Sequence, residues 1–104
     1  MINLTQEEKK QITEIITSIV PLHEVWVFGS RTGEDIRSYS DIDIVIRGSE
    51  VLPLLVSGEL KNAFQESDLP FRVDVLDWNT ITDEFREIIS SNYEILLPAP
   101  DRTE

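Results

Sequence analysis

Residues 25–47 read VWVFGSRTGEDIRSYSDIDIVIR, and the fold is predicted most directly from this segment. Residues 25–28 form a short apolar run of β-favouring residues that ends at Gly29, which predicts a buried strand. From residue 40 to residue 47 apolar and polar residues alternate, which predicts a second strand. Because side chains alternate along a strand, its three isoleucines should face one side, and its two aspartates and one valine the other.

Helical patterns flank these strands. Thr5 followed by Glu8 fits a capping box, and isoleucines then recur at helical spacing until Pro21, which predicts a first helix of about four turns. A second helix is predicted to begin at residues 52–53, where a proline suits the first turn, and to end before Pro70. Its apolar positions are Leu54, Leu55, Leu60 and Phe64.

The alternation of strands and helices continues to the end of the chain. Residues 71–76 and residues 93–97 are predicted strands. Between them, Thr80 with Asp83 is expected to cap a third helix. That helix carries Ile81, Phe85, Ile88 and Ile89. The pattern predicts an α/β or α+β domain whose sheet is covered by helices on at least one face. Residues 1–104 are read as a single domain, with 98–104 as a flexible tail.

Composition narrows the possible functions. Twenty acidic and nine basic residues give a net charge of −11, which argues against a nucleic-acid partner. A bound nucleotide would need a divalent cation or local basic and backbone N–H groups. The chain has no cysteine and one histidine, which excludes disulfides, cysteine-rich metal sites and multi-histidine sites. Without an apolar run of signal-peptide or membrane-spanning length, a cytoplasmic protein with no membrane partner is expected.

Two aspartates on the second predicted strand suggest a metal site. Asp41 and Asp43 are two residues apart, so their carboxylates should project from one face. Such close like charges repel unless a cation lies between them, and carboxylate oxygens with substrate phosphates are typical magnesium ligands. Asp74, on the third predicted strand, could share that metal and accept the proton of an attacking hydroxyl if the two strands are neighbours. These residues predict a metal-chelated triphosphate as substrate.

The turn after the first strand could hold the phosphates. Gly29 lets the backbone approach a phosphate closely, and Ser30 adds a hydroxyl to the neighbouring N–H groups. Arg31 could neutralise phosphate charge, although it could equally pair with Asp41 or Asp43 when no substrate is bound.

These motifs together resemble a known family. Gly29-Ser30-Arg31, a nine-residue gap, Asp41-Ile42-Asp43-Ile44 and a later Asp74 are similar to the signature of the minimal nucleotidyltransferases of the polymerase-β-like superfamily. The resemblance covers most of the chain and implies a mixed sheet of about four strands with helices packed against it. It also implies that the three aspartates bind Mg²⁺, one ion or two, and act in catalysis, and that the glycine–serine pair holds the triphosphate of ATP or another nucleotide.

The resemblance is strongest to small bacterial members that are paired with a helical HEPN protein. It implies an antitoxin that transfers a nucleoside monophosphate, AMP from ATP, to a tyrosine hydroxyl of a HEPN toxin. Two alternatives stay open. The chain could be a nucleotide-binding module that neutralises its partner by contact alone, or a transferase acting on a small molecule, although the extra substrate-binding helices of such enzymes are missing here.

Other conspicuous residues have simpler interpretations. Trp26 and Trp78 could stack on a base but are interpreted as core residues. His23 is expected at the surface or as a capping residue. Arg72 and Arg86 are expected to form ordinary surface ion pairs.

Overall fold

The computed structural model describes residues 5–20, 23–28 and 42–98 of the chain. The predicted phosphate-binding residues Gly29, Ser30 and Arg31, the first predicted metal ligand Asp41, and residues 99–104 of the predicted tail lie outside the described residues. Across the described ranges, no helix has both the length and the apolar character needed to cross a bilayer.

The first helix, α1, spans Gln6–Ile19 and begins with the predicted capping box. The Thr5 hydroxyl accepts a hydrogen bond from the Glu8 backbone N–H at 3.0 Å, and the Glu8 carboxylate accepts one from the Thr5 N–H at 3.1 Å. Two N–H groups that the helix itself cannot satisfy are thereby bonded. The apolar stripe of α1 then faces the sheet, with Ile12 and Ile16 fully buried.

Four strands form one mixed sheet, in agreement with the predicted fold class. They are β1 (Glu24–Phe28), β2 (Ile42–Arg47), β3 (Val73–Asp77) and β4 (Tyr93–Leu97), arranged in the order β3-β2-β1-β4. β1 runs antiparallel to both β2 and β4, whereas β2 and β3 are parallel. The chain between β2 and β3 contains the helix α2 (Leu54–Gln65), the kind of crossover that parallel neighbours require.

Both faces of the sheet are covered. Helices α1 and α2 pack on one face over a core that includes Ile12, Ile44 and Leu60. The third helix, α3 (Asp83–Ser90), places the buried Ile89 against a smaller cluster on the other face. The buried members of that cluster are Trp26, Phe28, Val45 and Ile89.

Several predicted details are wrong. The third helix is capped by Thr82, whose hydroxyl accepts a hydrogen bond from the Phe85 N–H at 3.1 Å, whereas Thr80 ends a short 3₁₀ turn. Leu54 and Leu55, predicted as apolar positions of α2, are 88% and 83% exposed. They lie outside the stripe through Leu60 and Phe64 that faces the core.

The strand β3 also begins and ends later than predicted, and its last residue holds the following chain in place. One Asp77 carboxylate oxygen accepts a hydrogen bond from the Leu52 N–H at 2.7 Å, and the other accepts one from the Asn79 N–H at 3.0 Å. The Asn79 side chain in turn donates to the carbonyl oxygens of Gly48 and Glu50. These bonds fix the connection between β2 and α2 against the end of β3.

Candidate active site

Parallel pairing of β2 with β3 brings two of the predicted carboxylates together. Asp43 and Asp74 are register partners, and the Ile42 N–H donates to the Arg72 carbonyl at 2.9 Å one step earlier in the ladder. Register partners point to the same face, and neighbouring strands are about 4.8 Å apart. The required adjacency of the two aspartate-bearing strands is therefore present.

The sheet supports these carboxylates rigidly. Ile42 and Ile44 flank Asp43 on β2 and are fully buried on the opposite face. Val73 and Val75 flank Asp74 in the same way and are 9% and 8% exposed. Asp43 and Asp74 are themselves half-buried. The alternation that the sequence predicted thus holds two oxygen donors on a stiff surface.

Both carboxylates open into a large cleft. Its volume is about 1050 Å³, and its lining includes Lys61, Phe71 and Arg72 in addition to Asp43 and Asp74. The Arg72 Nε lies 3.4 Å from an Asp74 oxygen, and the two side chains are 74% and 42% exposed. An ion pair this exposed is worth little, as was expected for Arg72, and leaves Asp74 accessible.

Asp43 and Asp74 suit a hard divalent cation. Carboxylate oxygens are the ligands that magnesium prefers, and an open cleft leaves room for water and phosphate oxygens. Within the described ranges, no cluster of three or more acidic or histidine residues could hold a metal. The remaining predicted ligand, Asp41, directly precedes β2 in the sequence but is outside those ranges. The complete ligand set therefore stays a prediction.

The strand before the predicted phosphate turn reaches the same end of the sheet. Phe28, the last residue of β1, is the register partner of Asp43. Its ring meets the Phe85 ring of α3 edge to face, with 5.9 Å between the centroids. This contact fixes the end of β1, from which the chain continues into Gly29, Ser30 and Arg31.

The other end of the same face carries an arginine between two tryptophans. The Arg47 guanidinium carbon is 4.1 Å from the Trp26 ring centroid and 4.5 Å from that of Trp78. Glu24 accepts hydrogen bonds from Arg47 at 3.0 Å and from the Trp26 indole N–H at 2.7 Å. Tyr93 stacks on Trp26, with 3.7 Å between the ring centroids. Trp26 is a core residue as predicted, and Trp78 is half-buried.

Arg86 has a structural contact that the sequence did not reveal. Its Nε and Nη2 atoms donate to the Trp78 carbonyl at 3.0 and 2.8 Å, whereas its ion pair with the exposed Asp83 is longer, at 3.5 Å. Arg86 is therefore an anchor between α3 and the turn after β3, and its interpretation as an ordinary surface ion-pair residue is wrong.

His23 packs against the backbone at the end of β2. A Cβ atom at Gly48 would lie 2.6 Å from the His23 Cδ2 atom and 2.7 Å from its Nε2 atom, so the ring occupies the space that a side chain would need. The His23 ring is half-buried, and it fills a gap beside the strand rather than capping a helix.

Three comparisons place these features among known proteins. The family model described as polymerase beta nucleotidyltransferase matches residues 10–100. A probable protein adenylyltransferase MntA of Haemophilus influenzae is 43% identical over 95 residues, which cover 91% of this chain and 83% of that protein. Residues 10–100, which the family model matches, contain all four strands and every residue that lines the cleft.

Solved structures show the same fold at lower sequence identity. A crystal structure of a toxin–antitoxin with AMP-PNP matches with a TM-score of 0.73 at 21% identity, covering 88% of this chain and 73% of the other. A tri-AMPylated Shewanella oneidensis HEPN toxin in complex with MNT antitoxin matches with a TM-score of 0.71 at 22% identity, covering 92% and 74%. With paired carboxylates on the parallel strands, a family match over almost the whole chain and a relative at 43% identity, the chain belongs to the polymerase beta nucleotidyltransferase family.

Proposed function

We propose that this protein is a magnesium-dependent adenylyltransferase that moves AMP from ATP to a tyrosine hydroxyl of a HEPN partner and acts as its antitoxin in the cytoplasm. The observation that carries the proposal is the register pairing of Asp43 with Asp74 at an open cleft. This pairing suits nucleotidyl transfer because the reaction needs oxygen ligands for a hard cation and a proton acceptor close to the same phosphorus atom.

Each site residue has a distinct role in the proposal. Asp41 and Asp43 hold the cation, and Asp74 contributes an oxygen to it. Gly29, Ser30 and Arg31 hold the β- and γ-phosphates. Bound magnesium would neutralise phosphate charge near the reacting phosphorus.

The transfer itself is an in-line displacement. Asp74 takes the proton of the acceptor hydroxyl while the hydroxyl oxygen forms a bond to the α-phosphorus and the bond to the β-phosphate oxygen breaks. Pyrophosphate leaves on the opposite side, held by Arg31. Because Asp74 lies on a strand braced by two buried valines, it can stay in position while the charge moves.

The acceptor is proposed from the relatives. The H. influenzae relative is named as a protein adenylyltransferase, and two structurally similar chains come from a toxin–antitoxin with AMP-PNP and a tri-AMPylated HEPN toxin with its MNT antitoxin. The acidic surface of this chain, with net charge −11, favours a basic partner over nucleic acid.

The direct test is an intact-mass assay. Purified protein is incubated with magnesium, ATP and a purified HEPN protein from the same organism, and that partner should gain one adenylyl group per modified tyrosine. Asp41→Ala and Asp43→Ala should each abolish transfer, whereas Asp83→Ala serves as a matched control. Asp83 is 95% exposed on α3 and should be dispensable.

The result also separates catalysis from simple binding. Partner activity that is fully suppressed without ATP and magnesium would support a module that acts by contact alone. Normal transfer by both aspartate variants would show that the assigned carboxylates do not carry the chemistry.

A further inference from the structure

One side of the cleft is formed by the outer edge of β3, the edge that faces away from β2. In the described part of the chain β3 pairs only with β2. In a parallel ladder, every second residue of a strand directs its backbone N–H and C=O groups to the neighbouring strand. The bond from the Ile42 N–H to the Arg72 carbonyl shows that Asp74 and Leu76 are the residues of β3 whose backbone groups face β2. The backbone N–H and C=O groups of Val73 and Val75 therefore point away from the sheet.

The cleft follows this edge on both sides of the strand. Asp74 and Leu76 line it from the face covered by α3, whereas Val73 and Val75 line it from the face covered by α2. On the α2 side its lining is mixed, with the apolar Phe64, Leu69 and Phe71 beside the polar Lys61, Gln65 and Ser67. The cleft thus extends beyond the carboxylates and follows the edge of β3 from Val73 to Leu76.

We infer that the acceptor segment of the partner protein binds in an extended conformation along β3, as an additional edge strand that presents its hydroxyl to Asp74. This inference rests on the proposed adenylyl transfer. Unpaired edge groups of a sheet are the usual template for such strand addition. A side chain in register with Asp74 would point to the same face, and its Cβ atom would lie about 5 Å away.

The geometry also specifies the chemistry of the bound segment. Residues one position before and after the hydroxyl-bearing residue would point to the α2 side, because side chains alternate along a strand. There they would meet this mixed lining, so neighbours that combine apolar and polar groups are expected. A second copy of this chain is disfavoured as occupant because it would bring two chains of charge −11 together beside their acidic sites.

Residue-resolved amide hydrogen exchange tests the docking mode. Exchange is measured by NMR for the protein with magnesium and a non-hydrolysable ATP analogue, before and after addition of the HEPN partner. Val73 and Val75 amides should exchange readily at first and become protected with the partner. Asp74 and Leu76 amides should be protected in both samples because they bond to β2.

A pair of variants isolates the backbone bond. Val75→Pro removes the outward N–H without breaking a β2 bond, and proline is tolerated at such edge positions. Val75→Ala removes similar packing but keeps the N–H. Loss of one hydrogen bond should raise the acceptor KM roughly tenfold in Val75→Pro and less than about twofold in Val75→Ala. The ATP KM should be similar in both, and circular dichroism confirms that both are folded.

The outcomes distinguish this inference from the proposed function. Transfer that proceeds while Val73 and Val75 amides stay unprotected would overturn strand addition but leave the transferase intact. Equal acceptor KM values for the two variants would also overturn strand addition alone. So would protection of the Val73 and Val75 amides in a dimer of this chain without the partner. Absence of any transfer would remove the proposed function and this inference together.

Discussion

Alanine substitution of two aspartates on one strand should have different effects, one on catalytic activity and the other on stability. Asp74 and Asp77 both lie on β3, and alanine substitution removes the same carboxylate from each. Asp74 has an exposed ion pair with Arg72. Asp77 instead accepts bonds from the Leu52 N–H at 2.7 Å and the Asn79 N–H at 3.0 Å. We expect Asp74→Ala to lose activity and Asp77→Ala to lose stability.

The expected changes in unfolding free energy follow from these contacts. An exposed ion pair contributes at most about 1 kcal/mol, so Asp74→Ala should change the unfolding free energy little. Hydrogen bonds to a charged group contribute about 1.5–3 kcal/mol each, and the Leu52 amide would be left unsatisfied. For partly buried bonds we expect a loss of about 2–4 kcal/mol in Asp77→Ala. This corresponds to a fall in Tm on the order of 10–20 °C for a domain of this size.

The transfer rate should fall more in Asp74→Ala than in Asp77→Ala, the reverse of the order for stability. Loss of a general base costs about 10²–10⁴-fold in rate, so Asp74→Ala should transfer AMP at least about a hundredfold more slowly. Thermal unfolding by circular dichroism and transfer assayed at 15 °C, about ten degrees below ordinary assay temperature, measure the two effects. If Asp77→Ala is folded and yet inactive, or if Asp74→Ala unfolds as easily as Asp77→Ala, the assignment of roles on β3 is wrong.

Three further substitutions test the rest of the fold. Arg47→Met should lower the unfolding free energy by about 1–3 kcal/mol, because it removes the cation from the partly buried Glu24 carboxylate, which keeps its bond from Trp26, and removes two aromatic contacts; near-ultraviolet circular dichroism should change as well. Gly48→Ala should cost about 1–3 kcal/mol through its clash with His23, and adding His23→Ala should recover most of that loss in urea unfolding. Leu55→Ser should change stability by less than about 0.5 kcal/mol, since this leucine is 83% exposed; a larger loss would mean that it is buried.

Local patterns in the sequence were sufficient for most elements. The capping box of Thr5 and Glu8 acts within four residues, so it can be read without tertiary information. The isoleucine alternation in β2 likewise defines both faces of that strand. It also predicted that Asp43 faces away from the main core. What it could not give is the register that makes Asp74 its partner, because that depends on how α2 returns the chain to the sheet.

Predictions failed where contacts come from distant segments. Asp77 bonds to Leu52, 25 residues earlier, and nothing near Asp77 in the sequence indicates that partner. Arg86 reads as a surface residue because its real acceptor is a backbone carbonyl, which every residue has. Leu55 is an apolar position of the predicted second helix, but a helix buries only one stripe, and Leu55 lies outside it.

The stabilising groups and the proposed reactive groups occupy opposite ends of the same strands. Asp43 and Asp74 lie at the beginnings of β2 and β3, whereas Arg47 and Asp77 lie at their ends. Three or four residues of strand separate the two sets by about 10–13 Å. Under the proposed function, charges in the cleft could therefore change on binding of metal and nucleotide, while the bonds that hold the α2 and α3 connections stay intact. This separation is the reason that Asp74 and Asp77, three residues apart on one strand, should affect different properties when each is replaced by alanine.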